Sequence, residues 1–176
     1  GGAAQPLVAM VTESGATLDL WWPTELPEPV LEGTAARFPE VFAGVDLIVE
    51  AGRTGFAYRL EVKTAEAAAN PALSAIAVEL GGTLEVSQDA DTGAVTATDA
   101  VTGEAVLTSA GAFMWDSSEP AAAADDGGPA QFFADALDML TGEGSEASPG
   151  DPGRVERMDV ALEETTLTIT PDEDLL

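Results

Sequence analysis

Strand-length segments separated by glycine-containing turns are the feature that most limits how this chain folds. In FAYRLEVK (56–63), Phe56, Tyr58, Leu60 and Val62 fall on one face of an extended backbone, and Ala57, Arg59, Glu61 and Lys63 fall on the other. VDLIVE (45–50) precedes it across the turn AGRTG. Period-two alternation is typical of a strand with one face buried. The stretch therefore predicts an antiparallel pair.

The same pattern continues along the chain. Strands are predicted at 7–14, 16–23, 34–38, 74–80 and 112–118, in a meander over 83–109, and as two strands within 154–170. The turn unit Asp-Ala-x-Thr-Gly begins at Asp89 and again at Asp99, ten residues later, which is the spacing of adjacent antiparallel strands. We expect an all-β, antiparallel β-sandwich-like domain with one inserted short helix.

Proline and alanine interrupt this pattern at three places. A turn is predicted from Pro39 to Gly44, and the proline-rich segment 24–33 is predicted to be irregular and extended. TAEAAANPAL (64–73) favours one helical turn, because it is alanine-rich and ends at Asn70-Pro71.

Residues 119–153 differ in composition from the rest of the chain. They begin with EPAAAADDGGPA and end with TGEGSEASPGDPG, around a segment at about 131–140 with apolar residues at helical spacing. Strands are predicted on both sides. We therefore interpret 1–176 as a single β domain and 119–153 as a flexible insertion that contains a short helix.

The predicted core follows from the apolar faces of these strands. It comprises Leu18, Leu20, Val45, Leu47, Val49, Phe56, Tyr58, Leu60, Val62, Phe113 and Trp115.

Charge and missing residue types narrow the function. The chain has 32 acidic and 6 basic residues, a net charge of -26, and neither histidine nor cysteine. Such a charge repels nucleic-acid phosphates and anionic membranes, and no segment has the apolar length of a membrane span. Disulfides, thiolate or histidine metal sites, and His- or Cys-based catalysis are excluded. We expect no nucleic-acid partner and no membrane insertion.

The acidic residues offer two candidate chemistries, and both have simpler interpretations. Asp89, Asp91 and Gly93 begin like a calcium loop, but Ala100 occupies the last position, where a carboxylate ligand is needed. We interpret the segment as a hairpin turn whose aspartate bonds its own backbone. The pairs Glu163-Glu164, Asp125-Asp126 and Asp172/Asp174 resemble solvated surface more than a glycosidase pair.

No catalytic, metal or cofactor-binding residue is predicted, and a serine–lysine pair would have to use Lys63, on the polar face of a strand. Trp21 and Trp22 are the candidate glycan contacts, because aromatic rings stack on sugars. As neighbours on a strand they point to opposite faces, so one is expected in the core. Trp115 is expected to be core.

Five stretches carry a resemblance to a known group of proteins. They are LDLWWPTELPEPVLEG (18–33), residues 37–73, the run GGTLEV to GEAV, AFMWDSS (112–118) and RMDVALEETTLTITPDEDLL (157–176). Their order resembles a β-rich region of large secreted actinobacterial proteins with Rhs/YD repeats or laminin-G-like modules, often classed as polymorphic-toxin-like. The motif Pro-x-Val-x-x-Gly-Val-Asp-Leu (39–47), followed by Gly-Phe-x-Tyr (55–58), is more loosely similar to the N-terminal domain of bacterial secreted β-propeller-repeat proteins.

The resemblance implies export from the cell, an all-β module and a non-catalytic role beside other modules of the same protein. The first hypothesis is therefore a structural or scaffold module of a secreted or cell-surface protein. The alternatives are a module that binds carbohydrate or cell-wall polymer, and a carboxylate-dependent glycosidase.

Overall fold

A computed structural model describes residues 5–53, 55–90, 92–109, 111–115, 155–172 and 174–176. In these ranges the chain forms thirteen β-strands, a one-turn α-helix and a 3-10 turn. The strands are β1 (Val8–Val11), β2 (Thr17–Trp21), β3 (Val30–Glu32), β4 (Ala35–Phe42), β5 (Val45–Ala51), β6 (Phe56–Val62), β7 (Ile76–Gly82), β8 (Glu85–Gln88), β9 (Val95–Thr98), β10 (Ala105–Ser109), β11 (Ala112–Trp115), β12 (Val155–Glu163) and β13 (Thr166–Thr170).

The strands form three antiparallel sheets. A six-stranded sheet has the order β1-β2-β7-β13-β12-β11, a four-stranded sheet β3-β4-β5-β6, and a three-stranded sheet β10-β9-β8. The antiparallel β-sandwich-like fold predicted from the alternation is confirmed. Within the described residues, no helix has the length and apolar character needed to cross a membrane.

The main core lies between the six-stranded and four-stranded sheets. Leu20 and Trp22 from the β2 segment, Leu47 from β5 and Val78 from β7 form one buried cluster. Side chains at alternate positions meet because each sheet turns one pleat face toward the other.

Most predicted core residues lie in or against this interior. Leu18, Leu20, Val45 and Leu47 are buried, and Val49, Phe56, Tyr58 and Leu60 pack partly buried against the main cluster. Phe113 and Trp115 are half-buried on the edge strand β11. The prediction for Val62 is wrong: it is 36% exposed, because it ends the edge strand β6.

The three-stranded sheet has its own apolar contact and a polar tie to the six-stranded sheet. Leu18, Leu84 and Ala97 form a second buried cluster. The side-chain amide of Gln88 donates to the Val160 carbonyl at 2.6 Å and accepts from the Leu162 N–H at 3.0 Å. Gln88 thus binds β8 to the backbone of β12.

Two predictions about strand ends are corrected. The turn expected from Pro39 to Gly44 is shorter, since β4 continues through Pro39 to Phe42 with a register shift after Phe38. Pro39 is tolerated because β3 pairs only with 35–37, so no missing N–H bond arises on that side. The segment expected to be irregular contains β3, Val30–Glu32.

The predicted one-turn helix is confirmed as α1, Ala65–Ala68, in which the Thr64 side chain accepts from the Ala67 N–H, and a 3-10 turn follows at Pro71–Leu73. The insertion predicted at 119–153, with its helix at about 131–140, lies outside the described residues. Trp115 pairs with Val155 across β11 and β12, so the chain leaves and re-enters one sheet at adjacent positions.

Candidate functional site

The most concentrated chemistry in the described chain is a charged network on the outer face of the four-stranded sheet. Its centre is Asp46, which is 4% exposed although it is ionisable. Arg37 Nη1 lies 3.0 Å from Asp46 Oδ2, and Lys63 Nζ lies 2.6 Å from Asp46 Oδ1. Arg37 also pairs with Glu61. Three neighbouring strands or their ends therefore meet at one buried carboxylate.

The irregularity in β4 completes this network. Glu40 has a φ of 54°, a left-handed conformation that costs energy for a residue with a side chain. In this position its backbone N–H donates to Asp46 Oδ1 at 2.9 Å. Its carboxylate accepts from the Gly44 N–H and from Lys63 Nζ, both at 2.8 Å. The network and the β4–β5 turn therefore hold each other in place.

The hydrogen bonds of the network determine the protonation states of Asp46 and Lys63. Burial works to raise the pKa of Asp46, but hydrogen bonds from Lys63, the Glu40 backbone and Arg37 outweigh it and lower that pKa to about 2. The hydrogen bond to Asp46, and then the one to Glu40, raises the pKa of Lys63. Lys63 is thus held as an ammonium ion at neutral pH, which removes the free amine that a general base or nucleophile needs.

A lysine, an aspartate and a second carboxylate in contact also raise the question of an amide cross-link. That reaction joins a neutral amine to a protonated carboxyl group and releases water. Here both partners are held in the opposite states, since the pKa of Asp46 is lowered and that of Lys63 is raised. The arrangement therefore favours a fixed ion pair.

The two Asp-Ala-x-Thr-Gly units are turns stabilised by their own aspartates. Asp89 Oδ1 accepts from the Thr92 N–H at 2.7 Å, and Asp99 Oδ1 accepts from the Val101 N–H at 2.8 Å. Asp99 is buried and also accepts from Ser14 Oγ at 2.6 Å. The predicted self-bonding turns are confirmed. Asp91 lies outside the described residues, among which no acidic cluster able to hold a metal ion occurs.

The predicted carboxylate pairs lie at turns and chain ends where the structure describes them. Glu163 and Glu164 are exposed at the β12–β13 turn, and Glu164 has a φ of 54°. Asp172 Oδ1 accepts from the Asp174 N–H at 2.8 Å, near the end of the chain. Asp125 and Asp126 lie outside the described residues.

The two neighbouring tryptophans are separated by burial. Trp22 is buried in the main core, with its ring centroid 6.3 Å from that of Phe42. Its Nε1 is buried without a hydrogen-bond partner among the described residues. Trp21 is half-buried on the outer face of the six-stranded sheet, where a Cβ on Gly81 would lie 3.4 Å from its Nε1. Of these two candidate glycan contacts, Trp21 is therefore the one accessible to a ligand.

An apolar groove of about 240 Å³ lies where β1 approaches the β3–β4 end of the four-stranded sheet. Leu7, Val8, Leu31, Ala36, Val49 and Phe56 are among its lining residues. It is smaller than the usual 300–1,000 Å³ of small-molecule sites and carries no cluster of ionisable groups.

Sequence reasoning missed both Asp46 and the groove. One signal for Asp46 was present, because an aspartate within the aliphatic strand VDLIVE has the same strand parity as Glu50 and must face polar partners. The groove had no such signal, since it is formed by segments that only the fold brings together.

No protein-family model, curated protein or solved structure matches the chain.

Proposed function

We propose that this chain is a non-catalytic structural module of a larger secreted or cell-surface protein. The observation that carries the proposal is how the chain uses its scarce cations. Of its 6 basic residues, Arg37, Arg59 and Lys63 bind carboxylates on the four-stranded sheet, and Arg157 donates to the Thr92 carbonyl. These four cations tie strands and turns together.

The bonding around Asp46 supports the same role. A charged group that binds or transforms a ligand needs either a hydrogen-bonding position left open for that ligand or a pKa near the working pH. Asp46 instead receives three hydrogen bonds from within the chain, and Glu40 receives two. These bonds stabilise the bulged strand and its turn, which is a contribution to rigidity.

The resemblance to β-rich regions of secreted Rhs/YD-repeat or laminin-G-like proteins supplies the context of the proposal. In that context the partners are other modules of the same protein, and the location is extracellular. The net charge of -26 supports the absence of a nucleic-acid partner and of insertion into anionic membranes.

Binding and hydrolysis assays on the whole chain test the proposal. We expect no retention on insoluble peptidoglycan or on a glycan array at moderate salt, and no hydrolysis of chromogenic glycosides. Limited proteolysis should cut within 119–153 and leave the rest associated as one domain. Catalytic turnover that depends on a specific carboxylate would refute the non-catalytic role, and independently unfolding fragments would refute the single domain.

Trp21 supports a second candidate function, binding of a carbohydrate or cell-wall polymer. Its indole lies on the outer sheet face against Gly81, beside Glu79 of the neighbouring strand. A ring flanked by a carboxylate suits stacking on a sugar with hydrogen bonds to its hydroxyl groups. If this function holds, glycan retention should be lost in Trp21→Ala and kept in Val101→Ala, a change at a distant exposed turn. Absence of retention, or retention equal in both variants, would remove it.

A further inference from the structure

The apolar groove lies between two strands that are each at the edge of a sheet. β1 ends the six-stranded sheet, and β3 ends the four-stranded sheet. Val49 and Phe56, which pack against the main core, form part of the groove floor. Leu31, which lines the groove, is 75% exposed, whereas its neighbour Val30 lies on the opposite face of β3. The sandwich is thus open along one side, where core side chains can be reached from solvent.

An extended chain matches this opening better than a compact ligand does. β3 pairs with β4 on one side, and no other described strand pairs with its second side. An edge strand presents N–H and C=O groups to an incoming strand, and alternate side chains of that strand can enter a groove. Pro29 directly precedes β3 and has no N–H, which confines the added pairing to a short ladder.

Charge selects the kind of partner. Glu28 and Glu32 are exposed on either side of Val30 and Leu31, and neither has an ion-pair partner in the described part of the chain. A second copy would bring the same acidic edge and another net charge of -26, so self-association is opposed. A segment with lysine or arginine between apolar residues complements both features.

We propose that the β1–β3 groove binds an extended segment of a partner protein in which apolar and basic residues alternate, added as a strand beside β3. Apolar side chains of the segment occupy the groove, and its cations face Glu28 and Glu32. This surface is separate from the structural role proposed above, which would stand if the groove bound nothing.

Fluorescence anisotropy with labelled synthetic peptides tests the groove. The probe alternates valine with lysine, and the control peptide alternates serine with lysine at the same charge and length. At near-physiological salt we expect saturable binding of the valine–lysine peptide, with an affinity at least about tenfold higher than that of the serine–lysine peptide, equivalent to about 1.4 kcal/mol. Equal affinities would mean unspecific charge attraction, and no binding would equally overturn the proposal.

Paired variants locate the binding. Leu31→Asn should weaken binding of the valine–lysine peptide about tenfold or more, whereas Val101→Asn, at a position 93% exposed on the β9–β10 turn, should leave it unchanged. Leu31 is exposed, so the change should preserve the fold, which circular dichroism checks. Equal binding by both variants would overturn the site.

A charge-matched pair tests the acidic rim. Glu28→Gln with Glu32→Gln should weaken binding more than Glu85→Gln with Glu104→Gln, since the latter two exposed residues lie on or beside the three-stranded sheet. Equal loss in both doubles would assign the attraction to net charge alone. Sedimentation of the unliganded chain completes the test: a dimer that Leu31→Asn dissociates would show that a second copy occupies the groove and would overturn the assignment.

Discussion

Replacing Asp46 by asparagine tests whether the charged network stabilises the fold. The change keeps the side-chain shape but removes the negative charge of the carboxylate, whose oxygens accept hydrogen bonds from Arg37, Lys63 and the Glu40 backbone. Arg37 retains Glu61 and Lys63 retains Glu40 as partners, so neither cation is stranded. The loss should therefore fall below the 3–5 kcal/mol typical of breaking a fully buried pair.

The pKa of Asp46 sets the magnitude. A folded-state pKa of about 2, against an ordinary value of 3.8, corresponds to about 2 kcal/mol in favour of folding above pH 4. Because the folded-state value is the lower one, this contribution is complete above the ordinary pKa and is lost as the pH falls through about 2. We expect Asp46→Asn to lower the free energy of unfolding by about 2–3 kcal/mol at pH 7.

Urea unfolding followed by tryptophan fluorescence, at constant ionic strength, measures this difference. Urea is preferable to guanidinium chloride, whose ions would screen the network. Glu28→Gln is the charge-matched control, with an expected change within about 0.5 kcal/mol, because Glu28 is exposed and has no ion-pair partner in the described chain. The reasoning is refuted if Asp46→Asn costs no more than this control, or if its difference from the native chain is the same at pH 2 as at pH 7.

Three further predictions concern other parts of the fold. Gly82 has a φ of +105°, and a Cβ there would collide with the Thr17 carbonyl, so Gly82→Ala should lower the free energy of unfolding in urea by more than about 2 kcal/mol. The control Gly15→Ala, at φ +86° with nothing within 4 Å, should lower it by only about 1 kcal/mol. Equal losses in the two variants would contradict the collision. Gln88→Ala should lower the free energy of unfolding by about 1–3 kcal/mol and speed hydrogen exchange at the Leu162 N–H, because the substitution removes the acceptor of that N–H. Unchanged exchange would argue against the Gln88 link between β8 and β12. Burial raises the pKa of Tyr58 to about 12, so the absorbance of this single tyrosine should titrate well above pH 10 in the folded protein. The free energy of unfolding should fall between about pH 10 and 12, because there the phenol ionises in the unfolded chain but not in the folded one. Titration near pH 10 in the folded protein would exclude the burial.

Alternation and turn chemistry predicted most of the strands. FAYRLEVK became β6, with Phe56, Tyr58 and Leu60 against the core, and the repeated aspartate turns formed with the bonds expected of them. The alanine-rich segment formed the expected helical turn, whose capping by Thr64 only the structure showed. These features depend on backbone geometry within a few residues, which is why sequence alone could predict them.

The candidate site was less predictable. The alternation in β6 predicted that Glu61 and Lys63 share a face. Their contacts with Arg37 and Asp46 were not predictable, because these require β4, β5 and β6 to lie side by side. Pro39 suggested a turn, yet the strand continued through it, because β3 pairs with β4 only over 35–37 and needs no N–H from Pro39. The β1–β3 groove was not predictable, because residues far apart in the chain line it.

Trp21 and Trp22 show the difference between what the sequence and what the tertiary structure determined. Alternation along a strand required Trp21 and Trp22 to face opposite sides, and this much the sequence determined by itself. Only the tertiary structure decided which side became interior, since that depended on the four-stranded sheet covering Trp22 and leaving Trp21 on the outer face. The physical reason is that backbone periodicity depends on neighbouring residues, whereas burial and side-chain bonds depend on residues far apart in the chain. Gln88 and Leu162, for example, form a hydrogen bond only because the fold brings β8 and β12 together.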